Sequence, residues 1–298
     1  MAPFPNDPSV QEYYGTIESR VGYRLLLGGT RHFGYYAPRT YWPFPITKAL
    51  RDMEDILKTI LGQQPGREVL DAGCGVGHVA IHLAKNGFYV RGIDLIGHHV
   101  KKAQCNIKSQ NLKARVTVTK GDYHNLDDFD DSRFDAVYTM ETFVHAIRPE
   151  IAAAEFFRVI KPGGLLVMFE YDHVHFGTEP SNASTSWANI NKHAAMPGNA
   201  RFEEGVLERI LRETGFEILS VRDLSENILP MLRLFYVLAF IPYIFIAMFG
   251  LKHKFINTVV GYEGYIYRGS VRYTLITAKK PGNDAETLLS VDAQGQKT

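Results

Sequence analysis

Short apolar runs alternate with segments of helical periodicity through most of the chain. Seven runs are short enough to be strands, at 69–71, 88–94, 115–119, 134–139, 165–170, 216–221 and 271–279. Between them, helical patterns occupy 78–86, 98–110, 151–160 and 201–214. Strands that alternate with helices in this way are typical of an α/β fold with a doubly wound, seven-stranded, mostly parallel sheet.

The same pattern divides the chain into five parts. We predict an N-terminal cap over 1–60, a core over 61–223, a hydrophobic helical insert over 224–269, the last core strand over 270–281 and a disordered polar tail over 282–298. Between residues 11 and 45 the cap is rich in aromatic residues, glycine and proline, which is too irregular for one amphipathic helix. Its aromatic side chains either pack on the sheet or line a ligand pocket.

The first predicted strand ends in a loop with glycine at every second position. Residues 71–77 read Asp-Ala-Gly-Cys-Gly-Val-Gly, and a predicted helix follows directly. A strand, a glycine turn and a helix N-terminus together form a nucleotide-type pocket. A dinucleotide fingerprint would need its third glycine at position 78, which is His78, so a nicotinamide cofactor is disfavoured. The alternative is a turn that needs glycine only for tight packing.

The second predicted strand ends in Asp94, 23 residues after Asp71. At about this spacing a βαβ unit places a carboxylate beside a ribose, and Asp94 is able to accept hydrogen bonds from both ribose hydroxyls. Cys74, inside the glycine loop, is predicted to be a small apolar filler beneath the ligand rather than a nucleophile.

These motifs resemble those of class I S-adenosylmethionine-dependent methyltransferases. The D-x-G-x-G-x-G pattern at 71–77 is similar to their cofactor loop, and Lys-Pro-Gly-Gly at 161–164 is a second shared feature. The resemblance implies a Rossmann-like methyltransferase fold with S-adenosyl-L-methionine as cofactor, and it places Asp122 at the adenine amine. The cofactor-binding residues predicted in this way are Asp71, Gly73, Cys74, Gly75, Gly77, Asp94, Leu95, Gly121, Asp122, Tyr123 and Met140.

A narrower resemblance is to the sterol 24-C-methyltransferase family. Tyr-x-x-Glu-x-x-x-His-Ala over 138–146 resembles a pattern that lines that family's pocket, and 261–268 is similar to part of its C-terminal region. The resemblance implies methyl transfer to a lipophilic small molecule, such as a terpenoid, a sterol-like compound or another secondary metabolite. Glu141 and His145, just after the fourth strand, are the candidate catalytic bases. The alternative is a hydrogen-bonded pair that holds the loop.

The candidate substrate residues are mostly aromatic. Methyl transfer is an in-line displacement that depends on alignment of the nucleophile and on exclusion of water. If the acceptor is an alkene carbon, aromatic faces would stabilise the carbocation that forms, whereas a hydroxyl or amine acceptor needs only a base. The residues predicted to contact substrate are His32, Tyr35, Tyr36, Phe143 and Tyr171.

A second function class is consistent with the same motifs. A cyclase or a regulatory protein of this fold that binds S-adenosylmethionine without methylating would keep the donor site intact. No metal site is predicted, because His78 and His82 lack the glutamate of an H-E-x-x-H motif. The acids and histidines within 170–175 likewise lack a further acid at ligand spacing.

The overall composition favours a cytoplasmic protein with no nucleic-acid partner. The net charge of +1 gives no electrostatic preference for nucleic acid. Two cysteines form no disulfide framework, which indicates a reducing compartment. The first residues lack the basic and apolar regions of a secretory signal.

One apolar run is unusually long. Residues 234–251 contain no charged side chain, a length near the lower limit for crossing a bilayer. Pro242 lies in the middle, where it would kink a spanning helix, and the next strand must return to the same sheet. Contact with a membrane surface, such as the endoplasmic reticulum or another lipid surface, is therefore favoured over a span, with an internal or dimer-forming cap as a third reading. The oligomeric state is left open.

Overall fold

A seven-stranded sheet forms the centre of the structure. The computed structural model describes residues 8–16, 18, 26–62, 64–177 and 179–282. The strand order is β3-β2-β1-β4-β5-β7-β6, and β7 runs antiparallel to its two neighbours whereas the other pairs are parallel. The strands are β1 (Glu68–Ala72), β2 (Tyr89–Asp94), β3 (Val116–Lys120), β4 (Phe134–Met140), β5 (Ile160–His173), β6 (Glu217–Asp223) and β7 (Val271–Lys279). The predicted doubly wound, mostly parallel sheet is confirmed.

Helices cover both faces of this sheet. They are α1 (Pro8–Gly15), α2 (Ile46–Leu61), α3 (His78–Lys85), α4 (Gly97–Ser109), α5 (Pro149–Val159), α6 (Asn182–His193), α7 (Val206–Thr214), α8 (Ser225–Met248) and α9 (Ile256–Ile266). The predicted start of α7 at residue 201 is wrong. Residues Asn199–Arg201 form a 3₁₀ turn, and Gly205, with φ of 83°, precedes the helix. The predicted disordered tail lies, apart from residue 282, outside the described residues.

Neighbouring residues of the central strands point to opposite faces, so each strand contributes to two cores. Val69 of β1 belongs to the core that α2, α3 and α4 cover, whereas Leu70 belongs to the core under α5 and α7. In the same way, Val167 and Leu166 of β5 divide between these two cores. All four side chains are fully buried, which explains the nearly continuous apolar runs of the strands.

Strand β5 is longer than its apolar run. It was predicted over 165–170, but it extends from Ile160 to His173 and includes the Lys-Pro-Gly-Gly segment. Residues 165–173 pair with the whole of β7. The extension carries Tyr171 beyond the sheet's centre, toward the edge where the parallel strands end.

The hydrophobic insert is a helical hairpin. Helix α8 begins nine residues before the predicted apolar run and includes Pro230 and Pro242. Helix α9 packs back along it, with the rings of Tyr243 and Tyr262 stacked 3.9 Å apart. Among the described residues, α8 is the one helix whose length and composition would suffice to cross a bilayer.

We expect Gly34→Ala to destabilise the fold. A β-carbon there would lie 2.6 Å from the β-carbon of Ala49 and 2.9 Å from its carbonyl carbon, so α2 would have to move. That movement would also strain the hydrogen bond from the Tyr35 N–H to the Ala49 carbonyl oxygen. Overpacking of this kind costs about 1–3 kcal/mol of unfolding free energy.

Chemical denaturation measures this effect, and Gly269→Ala is the matched control, because a β-carbon at Gly269 would meet no atom within 4 Å. Equal unfolding free energies for the two variants would contradict the prediction.

Candidate active site

The glycine loop after β1 is held in a shape that only glycine permits at two positions. Gly73 has φ of 107°, and a β-carbon there would lie 2.1 Å from Oγ1 of Thr142. Gly77, with φ of 80°, immediately precedes α3. The N–H groups of Gly73 and Cys74 both donate to the carbonyl of Ile93, which ties the loop to the end of β2. The loop therefore brings backbone to the surface of a cavity without intervening side chains.

Asp94 organises the floor of this cavity. One carboxylate oxygen accepts a hydrogen bond from the Gly75 N–H at 2.8 Å, and the other accepts from the Ile96 N–H at 2.8 Å. His99 Nδ1 lies 3.2 Å from the second oxygen. Oδ2 has one partner and keeps a further lone pair, so Asp94 is still able to accept a hydrogen bond from a ribose hydroxyl.

Asp122 lies at the end of the neighbouring strand. Its Oδ1 accepts hydrogen bonds from the backbone N–H of His124 at 2.9 Å and from His124 Nδ1 at 2.6 Å. Burial alone would raise the pKa of Asp122, but these hydrogen bonds outweigh it and lower the pKa. The carboxylate is therefore ionised near neutral pH, as hydrogen bonding to an adenine amine requires.

Asp71 differs from the other two acids. It is buried beneath the glycine loop, and burial together with the nearby charge of Asp94 raises the pKa of its carboxyl to about 7. A cationic ligand above the loop would favour its ionised form, since an opposite charge nearby stabilises a carboxylate.

The cofactor cavity is the space of about 250 Å³ above these residues. All the predicted cofactor residues line it except Gly77, which shapes the loop from behind and whose β-carbon would meet Ala103 at 3.3 Å. Acids at three strand ends and a glycine cradle fit the ribose, adenine and amino-acid parts of S-adenosylmethionine. Sequence reasoning did not identify several other lining residues, namely Tyr14, His78, Ile96, His99 and Thr142.

The apolar cavity adjoins it and is larger, about 590 Å³. Helices α8 and α9, the N-terminal segment and the end of β5 form its walls. Its apolar lining includes Leu27, Phe33, Tyr171, Trp187, Ile228, Leu232, Phe235, Leu238 and Val260. The two cavities share five lining residues, which we call the junction: Tyr14, Arg31, His32, Glu141 and His145.

Glu141 is the carboxylate at the junction, and it accepts hydrogen bonds from three other groups of the protein. It follows β4 with φ of 57° and accepts from the Phe33 N–H at 2.6 Å and the Tyr273 hydroxyl at 2.9 Å. The Tyr171 hydroxyl is a third donor. Burial raises the pKa of Glu141, although hydrogen bonds from Tyr171 and Phe33 oppose the shift. The carboxylate thus connects three parts of the chain, and any movement of Glu141 to take a proton from a substrate would disturb these contacts.

His145 is fixed in one tautomer by its neighbours. Its Nδ1 lies 2.6 Å from the Ala195 carbonyl, which only accepts, so Nδ1 carries the proton. In the neutral ring Nε2 then accepts from the Tyr14 hydroxyl, 3.0 Å away. The predicted pair with Glu141 is therefore not a mutual hydrogen bond, because each side chain is held by other groups.

The candidate substrate residues divide into two groups. His32 and Tyr171 line the apolar cavity. Tyr35, Tyr36 and Phe143, which were also predicted to contact substrate, line neither cavity. Tyr36 is buried with its hydroxyl donating to the Pro43 carbonyl, Tyr35 packs on the core, and Phe143 is stacked on Phe202 inside the second core. Aromatic packing is the physical reason in each case.

His32 is the junction residue that faces a buried acid, Glu54. Its Nδ1 is 2.9 Å from the Phe33 carbonyl, and Nε2 is 3.5 Å from Glu54. Burial alone would lower the pKa of His32, but Glu54 and the backbone hydrogen bond outweigh it and raise the pKa. His32 therefore presents a positively polarised ring at the junction.

The acids of β5 have structural partners. Glu170 accepts hydrogen bonds from the backbone N–H groups of Thr142, Phe143 and Val144, and so positions the turn that carries His145. Asp172 is paired with Arg272. No group of three metal-ligating side chains occurs within the part of the chain that the structure describes.

We expect Asp94→Asn to weaken S-adenosylmethionine binding about 10- to 100-fold, the value of one charge-assisted hydrogen bond. The NH2 group of the asparagine would also face the N–H of either Gly75 or Ile96, donor against donor. Isothermal titration calorimetry measures the affinity, with the exposed Asp127→Asn as the matched control. An unchanged affinity would remove Asp94 from the cofactor site.

The raised pKa of Asp71 predicts that the stability of the protein depends on pH. Folding raises the pKa of Asp71 to about 7, so the folded protein favours the protonated carboxyl. The contribution of this carboxyl to the unfolding free energy is fully present below the ordinary pKa of 3.8 and is lost as the pH rises through 7. The unfolding free energy of the cofactor-free protein should fall over that window by about 4 kcal/mol at most through this group. Asp71→Asn should make the decline of the unfolding free energy shallower than it is in Asp127→Asn. Part of the decline should remain in both variants, because burial also raises the pKa of Glu170 to about 7. Urea denaturation at several pH values measures the unfolding free energy of each variant. An unfolding free energy that falls equally steeply with pH in both variants would contradict the prediction.

Comparison with known proteins agrees with this site. A family model described as "Methyltransferase domain" matches residues 70–168. The chain is 39% identical over 277 residues to the S-adenosyl-L-methionine-dependent Diels-Alderase iccD of Talaromyces variabilis, covering 92% of this chain and 95% of that protein. It is 32% identical over 220 residues to sterol 24-C-methyltransferase of Yarrowia lipolytica, covering 73% of this chain and 55% of the relative.

Solved structures share the fold. The crystal structure of the [4+2]-cyclase SpnF superimposes with a TM-score of 0.74 at 24% identity, covering 95% of this chain and 98% of that one. The cofactor of the chain is S-adenosylmethionine, as its cofactor cavity and its relatives indicate. The chain belongs to the class I S-adenosylmethionine-dependent methyltransferase family, as its glycine loop and strand-end acids predicted.

Proposed function

We propose that this protein is an S-adenosylmethionine-dependent cyclase that closes a ring in a lipophilic small molecule by a [4+2] cycloaddition. The observation that carries the proposal is the junction, where the apolar cavity meets the cofactor cavity and where Glu141 and His145 already have fixed hydrogen-bond partners. A cycloaddition needs shape and polarisation, whereas it needs no proton acceptor.

The relatives support the same reading. Two proteins named as S-adenosyl-L-methionine-dependent Diels-Alderases match this chain, iccD at 39% identity and iliD of a Neonectria species at 37% identity over 83% of its length. The iccD match covers 92% of this chain, which is enough to include most of the segments that form the apolar cavity.

The proposed reaction conserves every atom of the substrate. A diene and an alkene in one linear molecule form two carbon–carbon σ bonds at the expense of two π bonds, and the third π bond moves to the centre of the former diene. No proton, electron pair or leaving group departs, so the product is an isomer of the substrate. Catalysis then consists of holding the two ends of this molecule in contact and in the reactive orientation.

The chain supplies this orientation with apolar walls and a polar end. Phe33, Tyr171 and Phe235 enclose the apolar cavity, and α8 closes its outer side. Both ring nitrogens of His32 already face other groups, the Phe33 carbonyl and Glu54, so His32 would act on the substrate through the positive polarisation of its ring. That ring lies at the junction, where it would lower the electron density of an alkene conjugated with a carbonyl. S-adenosylmethionine supplies a positive sulfonium charge on the cofactor side of the junction when it is bound.

Methyl transfer to a lipophilic acceptor is the second candidate. Glu141 and His145 lie at the junction as a methyltransferase base would, and sterol methyltransferases are among the relatives. In that reaction the carbon–sulfur bond of the cofactor breaks, the methyl carbon bonds to the acceptor, and the acceptor's proton passes to a base.

Mass spectrometry of the products separates the two functions. We expect the purified protein with S-adenosylmethionine to convert a linear polyene with an activated alkene into a product of unchanged mass but altered retention time. S-adenosylhomocysteine should stay far below the amount of product. A product heavier by one methylene, with an equal amount of S-adenosylhomocysteine, would contradict the cyclase proposal and favour the methyltransferase.

Glu141→Gln gives an independent test. Glutamine keeps the shape of the side chain and still accepts a hydrogen bond, so we expect cyclisation to fall less than about tenfold, whereas loss of a general base costs about 10²–10⁴-fold. Measured S-adenosylmethionine affinity should stay unchanged. Glu203→Gln, at a half-exposed carboxylate that pairs with His175, is the control. A loss larger than a hundredfold with the cofactor affinity intact would mean that Glu141 acts as a base.

A further inference from the structure

The outer side of α8 carries an exposed apolar stripe. Val237, Ile241, Ile244 and Met248 follow one another at helical spacing, so they lie on one face, and each exposes at least half of its surface. Phe245 and Phe249 beside them are equally exposed. In the most apolar 18-residue stretch of α8, only 17% of the stretch is buried inside the protein, whereas most of a core helix would be buried.

An aromatic patch continues the stripe at its N-terminal end. Arg233 lies one turn before Val237 on the same face, and its guanidinium stands 4.1 Å from the centre of the Tyr41 ring. Trp42 and Phe44 complete the patch, with ring centres 5.6 Å apart. These three aromatic rings each expose more than half of their surface. Amphipathic aromatics beside an arginine are typical of residues at a membrane–water interface.

A basic loop continues the stripe at its other end. Lys252, His253 and Lys254 are exposed between α8 and α9. His193 of α6 lies beside the loop, with its ring 6.2 Å from that of His253. Lys252 is paired with an acid, because Glu263 accepts a hydrogen bond from it at 2.7 Å. Lys254, which is exposed and carries a positive charge, therefore allows this end of the stripe to attract anions.

The length of the apolar stripe and the order of the strands in the sheet argue against a single crossing of the bilayer by α8. From Arg233 to Met248 the stripe is about 24 Å long, at about 1.5 Å per residue, shorter than a hydrocarbon core of about 30 Å. The strands β6 and β7 on either side of the hairpin are neighbours in one sheet, so the chain leaves and returns on the same side. A helix with these properties lies in the plane of an interface.

We propose that the apolar stripe, with the aromatic patch and the basic loop at its ends, docks on the surface of an anionic phospholipid bilayer. The stripe would enter the boundary between headgroups and acyl chains, and the basic loop would meet the phosphate and carboxylate groups of the lipids. A second copy of the chain fits less well, since a symmetric contact along this stripe would bring two copies of the basic surface into one interface.

Docking in this orientation places the apolar cavity close to the bilayer. Phe235, Leu238 and Ala239 of α8 line that cavity, while Val237 and Ile241 of the same helix belong to the exposed stripe. The helix that touches lipid is thus also a wall of the cavity.

Vesicle flotation with the full chain tests the proposal. The probes are vesicles of phosphatidylcholine alone and of a two-to-one mixture of phosphatidylcholine and phosphatidylserine. We expect the protein to float with the mixed vesicles and to bind phosphatidylcholine more weakly. High salt should reduce binding to the level seen with phosphatidylcholine without releasing all the protein, because apolar insertion does not depend on screening.

Two variants separate the contributions. Ile241→Gln combined with Ile244→Gln removes two inserted side chains and should weaken binding to the mixed vesicles on the order of a hundredfold. Lys254→Gln removes one charge and should weaken binding about fivefold. The matched control is Leu219→Gln combined with Val221→Gln, which changes two exposed apolar residues of β6 and should leave binding unchanged.

Three outcomes would overturn the proposal. One is equal vesicle binding by the stripe variant and the β6 control when both show the native circular dichroism spectrum. Another is complete release by salt alone, which would leave no role for apolar insertion. The third is an absence of vesicle binding together with a dimer in sedimentation analysis that the stripe variant abolishes, since the face would then be covered by a second copy.

Discussion

A half-buried carboxylate joins the outer parts of the chain to the sheet. Glu141 accepts hydrogen bonds from the Phe33 backbone and from the hydroxyls of Tyr171 and Tyr273, which belong to the N-terminal segment, β5 and β7. Leaving such a carboxylate without partners would cost about 1–3 kcal/mol or more, so these three segments must meet at one point. The wall between the cofactor cavity and the apolar cavity is built around that requirement, and the positive φ of Glu141 is what turns its side chain there.

The cofactor half was predictable from sequence because its signals are local. In a parallel sheet the carboxyl ends of neighbouring strands meet at one edge, so locating the ends of three strands was enough to bring Asp71, Asp94 and Asp122 together. Phe143 shows the limit of such reasoning. An aromatic residue just after a strand carries the same signal whether it lines a pocket or fills a core, and the turn held by Glu170 directs this one into the core.

The apolar cavity was not predictable for a different reason. Its walls depend on contacts between residues more than a hundred positions apart, such as the hydrogen bond from Tyr14 to His145 and that from the Asn227 side chain to the Tyr36 carbonyl. No periodic pattern encodes such pairs.

The same constraint bears on how one fold serves two chemistries. A methyltransferase needs an acceptor atom in line with the donor methyl and a group free to take a proton, whereas a cycloaddition needs neither. At the junction, Glu141 holds the N-terminal segment on the sheet and His145 holds Tyr14 and the Ala195 carbonyl. Releasing either side chain to serve as a base would loosen the wall that shapes the apolar cavity. On the function proposed here, the cofactor cavity is kept because S-adenosylmethionine completes that wall, so retention of the donor site and loss of methyl transfer are compatible.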